Sequence, residues 1–159
     1  MRRAKGFSLI ELLIVVAIIL IIAAIGVPSF LNSRMAANES SAVSSLRTLN
    51  TAQISYNTTY ATVGFAANLT ALAGTCTGSN IPTSSNACLI DSVLESGTKS
   101  GYSFTLQGVS GSPASSYQVI AAPLNSMTGV HSFCSFEDAL IRVSQTVIAT
   151  CDSTVPEQQ

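Results

Sequence analysis

A single carboxylate inside an apolar run of membrane length constrains this chain more than any other feature. From Phe7 to Val27 nearly every side chain is apolar, yet Glu11 stands four residues into the run. About 20 apolar residues in a helix cross the roughly 30 Å hydrocarbon core of a bilayer. A carboxylate at the centre of such a helix costs roughly 2.5–3.5 kcal/mol on insertion scales. Arg2, Arg3 and Lys5 precede the run, and no comparable basic cluster follows it. The positive-inside rule then keeps the N-terminus in the cytoplasm and sends the rest of the chain across the membrane.

Three readings fit that much. An ordinary signal peptide would be cut after the run, where Ala23, Ala24 and Gly26 are small. The run is long for that purpose, and Glu11 would serve nothing in a discarded segment. A plain single-pass anchor also leaves Glu11 without a partner. A cut between Gly6 and Phe7 supplies one. It would create an ammonium at the helix start, about one turn from Glu11 or beside the Glu11 of a neighbouring chain. Opposite charges attract more strongly in a low dielectric than in water. An amine from another chain would relieve the cost of the unpaired carboxylate and select register and partner.

The stretch KGFSLIELLIVVAIILIIAAIGVP closely resembles the class III signal of type IV pilins and pseudopilins. The likeness rests on a short basic leader ending in Gly6, on Phe7 as first mature residue, on Glu11 as its fifth, and on Pro28 near the end of the run. It covers roughly the first 30 residues and, more loosely, the chain to about Tyr60. The resemblance implies cleavage after Gly6 by prepilin peptidase and N-methylation of Phe7. It also implies that Glu11 pairs with the Phe7 amine of an adjacent subunit in a helical homopolymer. Implied partners are copies of the chain itself, the inner membrane, and assembly machinery with a separate cytoplasmic ATPase. The chain has no phosphate-binding GxxxxGK[ST] of its own. The expected location is a single-pass inner-membrane precursor that becomes an extracellular pilus or a periplasmic pseudopilus.

Pro28 removes a hydrogen bond to Ala24, Gly26 loosens the same turn, and Val27 is biased from helical geometry by the following proline. Gly26 and Pro28 therefore mark either the end of a membrane span or a hinge in a longer helix. No Gly or Pro interrupts residues 29–61, and Met35, Ala42, Leu46, Leu49, Gln53 and Tyr56 fall near one face. Arg34, Asn38, Glu39, Ser45 and Arg47 remain for the other faces. A helix from Ser8 to Tyr60 would extend roughly 80 Å at 1.5 Å per residue. The small residues Ala17, Ala23, Ala24 and Gly26 allow close approach of sister helices.

Charged residues make up only 9% of the chain, and formal charge is −1. Such a balance gives no strong nucleic-acid signal, which needs clustered Lys and Arg. Four cysteines all follow the apolar run, and none is spaced as CxxC, so structural disulfides in an oxidising compartment are expected rather than a metal site. Cys76 and Cys88 enclose a turn around Gly78–Pro82, and Cys134 with Cys151 would pin the C-terminal segment to a sheet. These pairings are favoured among three possible on paper.

The alternation in Tyr102–Leu106, Tyr117–Ala122, Ser132–Phe136 and Ala139–Ser144 predicts three or four antiparallel strands. A loop over Gly108–Ser116 and a hairpin turn at Glu137-Asp138 separate them, with a short helix over Asp91–Glu95 and a docking segment carrying Leu69 and Leu72. Together with the resemblance, these patterns imply an α+β pilin fold: a long N-terminal helix on a small antiparallel sheet with a disulfide-pinned C-terminal region. The expected organisation is a cleaved leader over residues 1–6, as the resemblance implies, then 7–28 as the apolar half of the helix, 29–60 as its amphipathic half and 61–159 as the globular head.

No catalytic constellation or cofactor motif emerges. His131 and Cys134 form a lone HxxC, and Glu137-Asp138 fits a turn better than a calcium site. Asn38, Asn57 and Asn68 begin N-x-[ST] triplets that a Ser/Thr-rich chain produces by chance. The expected function is a structural, non-enzymatic subunit of a type IV pilus-like filament. Alternatives are a pseudopilin of a type II secretion system, a minor pilin, or a monomeric envelope binding module on an ordinary anchor.

Overall fold

The computed structural model describes residues 6–74 and 81–158, which fall into two compact units divided after Arg34. Helix α1 (Leu9–Thr59, 51 residues) enters both units, and its hydrogen-bonded turns run on through Gly26 and Pro28. The helix is continuous across Pro28, which is compatible both with a membrane span that ends there and with a hinge in a longer helix. Proline removes one donor and crowds one turn, but the long-chain and alanine residues on both sides favour helix.

In the first unit every described residue through Arg34 is exposed. An 18-residue window there has a mean hydropathy of 3.2 with none of it buried, so the helix is long and apolar enough to cross a membrane. In the second unit the same helix becomes amphipathic. Ala42, Leu46, Leu49, Gln53 and Tyr56 are buried as the spacing predicts, while Met35 is only partly covered. Val43, Ser45, Asn50 and Ala52 are buried too, so the inward stripe is wider than predicted and Ser45 belongs to it.

The sheet is an antiparallel meander in the order β1 (Thr98–Lys99), β2 (Tyr102–Gly111), β3 (Ala114–Pro123), β4 (Ser132–Phe136) and β5 (Arg142–Ser144). Its fifth member is the two-residue β1, too short to produce an alternating pattern. β1 turns into β2 through Ser100 and Gly101, both at positive φ (50° and 77°), the arrangement that matches the twist of a two-residue hairpin.

The predicted loop over Gly108–Ser116 is instead mostly strand. β2 and β3 pair out to Gly111–Ala114, with register shifts between Gln107 and Gly111. Gly108 and Gly111 sit at φ 65° and 101°, where they allow the bulge and the tight turn without steric cost. A Gly/Ser/Pro-rich stretch can thus be a bulged hairpin as easily as a loop. At the other end, the turn does fall at Glu137-Asp138, but Ala139 adopts φ 58° and delays β5 to Arg142.

Two short helices complete the head. In α2 (Leu69–Leu72) the Asn68 side chain caps the Ala71 amide at 2.8 Å. In α3 (Ser92–Glu95) Asp91 caps Leu94 at 2.8 Å, within the span expected of a short helix. Leu72 is fully buried and Leu69 packs against the core, as a docking segment requires. The turn expected at Gly78–Pro82 lies largely outside the described residues; a described turn closes at Thr83–Asn86. The Cys76–Cys88 pairing likewise rests on a residue outside them.

The sheet buries apolar groups on both faces. Tyr102, Phe104, Tyr117, Val119, Ala121 and Phe133 join the helix stripe in one cluster. Ile120, Cys134, Ile148 and Cys151 form a second. Strand alternation makes this possible, because Ile120 points away from its neighbours Val119 and Ala121. The Cys134–Cys151 disulfide fastens the C-terminal segment to that second cluster, as expected.

Buried amides lock the helix to the rest of the head. Gln53, with no exposed surface, donates to the Ala66 carbonyl at 3.1 Å and accepts from its amide at 2.8 Å. Asn50 donates to Ser135 Oγ at 2.8 Å and accepts from the Tyr117 hydroxyl at 3.2 Å. Replacing Gln53 by Leu leaves both Ala66 groups buried and unpaired, each at about 1–3 kcal/mol. Gln53→Leu should therefore lower unfolding stability by about 2–4 kcal/mol in chemical denaturation. The exposed Ile54→Ala change nearby should stay within about 1 kcal/mol.

Candidate functional site at the N-terminal helix

The sequence-predicted site residues Gly6, Phe7 and Glu11 lie at the start of α1. Gly6 and Phe7 precede the helix in extended or irregular backbone, and Phe7 is 77% exposed. Among the described residues, nothing lies within 4 Å of where a Gly6 side chain would point. Ser8 occupies the N-cap position, just before the first helical residue, Leu9. Its amide donates to Glu11 Oε2 at 3.3 Å, and its carbonyl accepts from Leu12.

That is the carboxylate half of a capping box, S-x-x-E at Ser8–Glu11. The sequence pattern was visible, but Glu11 draws attention first as a charge in an apolar run. Within one chain, then, Glu11 is not stranded: it satisfies an orphan donor and faces the positive end of the helix dipole. Among the described residues this amide is its hydrogen-bond partner, and Oε1 has none. A second donor, including a cation, can therefore be accommodated without breaking the helix start. Gly26 and Pro28 lie farther along the exposed helix, and no atom crowds the open side of Gly26.

Two charged clusters in the head were not foreseen. Glu39 Oε1 accepts from the Val130 and His131 amides at 2.8 and 3.1 Å, and Oε2 lies 3.0 Å from His131 Nδ1. The Tyr102 hydroxyl donates to the His131 carbonyl at 2.8 Å, so the segment is held from two sides. Burial, reinforced by the charge of Glu39, pushes the Tyr102 hydroxyl up to about 12. Asn38 adds a bond to Thr128 O at 2.9 Å, which commits the side chain of that N-x-[ST] triplet. His131 thus serves a carboxylate rather than Cys134, whose sulfur is in the disulfide.

In the second cluster Arg142, 4% exposed, meets Asp138 through two hydrogen bonds of 2.7 and 3.1 Å. Its guanidinium also lies 4.2 Å from the centroid of the Phe136 ring. Both Asp138 oxygens are engaged there, and Asp138 also accepts from the Leu140 amide, consistent with a turn-forming role. Among the described residues no group of three or more His, Cys, Asp or Glu side chains comes together as a metal cluster.

Residues 1–27 match the prokaryotic N-terminal methylation motif. The chain has a type IV prepilin N-terminus. It is 50% identical over 54 residues to the type IV major pilin protein PilA of Myxococcus xanthus, a match covering 34% of this chain and 24% of that relative. It is 62% identical over 39 residues to the type IV wide pilus major component PilA4 of Thermus thermophilus, covering 24% of this chain and 30% of that relative. The chain thus spans less than a third of either relative's length. No solved structure matches it. The α+β architecture, a long apolar-to-amphipathic helix with an antiparallel sheet and a disulfide, is pilin-like.

Burial alone would raise the Glu39 pKa, but hydrogen bonds from the Val130 and His131 amides, then the His131 side chain and its charge, together hold it below the ordinary glutamate value. A carboxylate depressed on folding contributes stability above its unfolded pKa and loses it as pH falls through the folded value. Comparing denaturation midpoints at neutral pH and about pH 3 should show a smaller acid-induced drop in Glu39→Gln than in the parent.

Proposed function

We propose that this chain is a structural subunit of a type IV pilus-like filament, without catalytic activity. The observation that carries the reading is the joint placement of a methylation motif and an uncovered apolar helix. Phe7 through Leu31 present large apolar side chains on every side, with Glu11 as the single acidic residue among them. A surface of this kind requires lipid or other helices around it. Here the precursor is a single-pass inner-membrane protein with a cytoplasmic N-terminus, and the assembled form is an extracellular filament.

On this reading residues 1–6 are the leader, removed by prepilin peptidase between Gly6 and Phe7, and the new Phe7 amine is methylated. Residues 7–28 cross the membrane and then enter the filament core, 29–60 form the amphipathic half of the helix, and 61–159 form the head. Glu11 takes the Phe7 ammonium of an adjacent subunit as a second partner for its carboxylate. Gly26 and Pro28 form a hinge whose turn can open when the helix changes surroundings. Lipid and a helix bundle are both apolar, so transfer between them yields little hydrophobic energy. Packing, the charge pair and work from a separate cytoplasmic ATPase in the assembly machinery supply the rest.

Mass spectrometry of mature protein should find an N-terminus at methylated Phe7; an intact leader, or a cut beyond Ala24, would contradict the filament reading. Leaving a buried ionic partner alone costs about 3–5 kcal/mol. Glu11→Ala should therefore insert and be processed while its filament yield, measured by shearing and electron microscopy, falls by orders of magnitude. Parent-level filaments from that variant would refute the pairing.

A further inference from the structure

Strand β5 ends the named sheet, yet its outer side is not open. The Val143 amide donates to the Pro156 carbonyl at 2.8 Å, and the Gln158 amide donates to the Ile141 carbonyl at 2.9 Å. Arg142 and Glu157 face each other as an antiparallel bridge, with their charged groups 3.8 Å apart. Residues 156–158 thus lie along β5 as one more rung. Just before them Val155 packs on the Ile120, Cys134, Ile148 and Cys151 cluster, where the disulfide anchors the segment.

An uncovered strand edge is a template for another strand, and folded proteins blunt such edges with short strands, proline and charge. The segment 156–158 combines all three. Pro156 has no amide to offer, and Glu157 is 61% exposed in its side chain. β5 (Arg142–Ser144) is short as well, but it carries neither a proline nor an exposed charge. Its Arg142 is buried and neutralised by Asp138, and the outward amide of Val143 would be an unpaired donor without the Pro156 carbonyl. Two such edges can meet antiparallel about a two-fold axis, because each offers the same pattern to the other.

We propose that residues 156–158 are a guard strand that keeps the β5 edge from pairing with the β5 edge of a second copy. The inference rests on the head alone and is independent of filament formation through the N-terminal helix.

The test uses the full chain in detergent micelles, comparing the parent with a variant deleted from Pro156 onward. Sedimentation should show a several-fold higher dimer fraction in the deletion variant at equal concentration. Val143→Pro in the deletion background removes the outward amide and should return the dimer fraction to the parent level. As a readout needing no further substitution, hydrogen exchange at Val143 in the deletion variant should slow as protein concentration rises. A folded deletion variant with the parent's dimer fraction would overturn the proposal. So would dimers that survive Val143→Pro, or exchange at Val143 that ignores concentration. Loss of cooperative melting on deletion would also count against it, placing the segment in the structural core rather than on guard.

Discussion

Water is a poor host for the surface that Phe7 through Leu31 present. Burying apolar area contributes roughly 25 cal/mol per Å², and in this unit none of that contribution is realised within the chain. The helix can exist there because its backbone hydrogen bonds are satisfied internally, which is what lets a helix stand in lipid without other partners. Its side chains still have to be covered. The same helix from Met35 onward solves the problem alone, by laying a stripe into the core of the head. One element therefore presents two kinds of surface, uncovered apolar side chains through Leu31 and a stripe buried in the head from Ala42 onward, and its composition changes along its length accordingly.

The head adds specificity to that stripe. Apolar packing is non-directional, and a stripe of Ala, Leu and Tyr tolerates small slides against a sheet. Amides do not. Gln53 engages both backbone groups of Ala66, and Asn50 sits between Ser135 and Tyr117. Sliding the helix by one residue would break each of these bonds inside a dry core, where an unpaired polar group is costly. The Asn50 and Gln53 bonds, together with the disulfide at the second cluster, set the register of the helix, the sheet and the C-terminal segment. Oxidation and packing thus act at different places and do not substitute for each other.

Features written in local spacing were legible in the sequence. The 3.6-residue stripe, the absence of breakers over residues 29–61 and the alternation in Tyr102–Leu106 and Tyr117–Ala122 led directly to α1, β2 and β3. The features that escaped depend on partners far along the chain or on backbone freedom. Glu39 and His131 are 92 residues apart, so nothing local links them. Gly108 and Gly111 read as loop because their composition is that of loops, while their positive φ values serve a bulged hairpin. β1 is too short for any periodic signal. Ser8 was legible as a cap and went unread, because the charge of Glu11 suggested a distant partner before a local one.

The local bond of Glu11 and the intersubunit pairing proposed for it are compatible, and their order would follow from chemistry. Before a cut at Gly6, the nitrogen of Phe7 belongs to a neutral peptide bond and carries no charge to attract a carboxylate. Glu11 then has the Ser8 amide and the helix dipole, enough to keep an acid at a helix start inside an apolar run. Cleavage would turn the same nitrogen into an ammonium, and charge-assisted bonds are roughly twice as strong as neutral ones. On the proposed reading, the carboxylate would gain a reason to look outward only once residues 1–6 were removed. A local cap would thus hold the Glu11 side chain in place at the helix start, and the proposed processing would create the partner that draws two chains together.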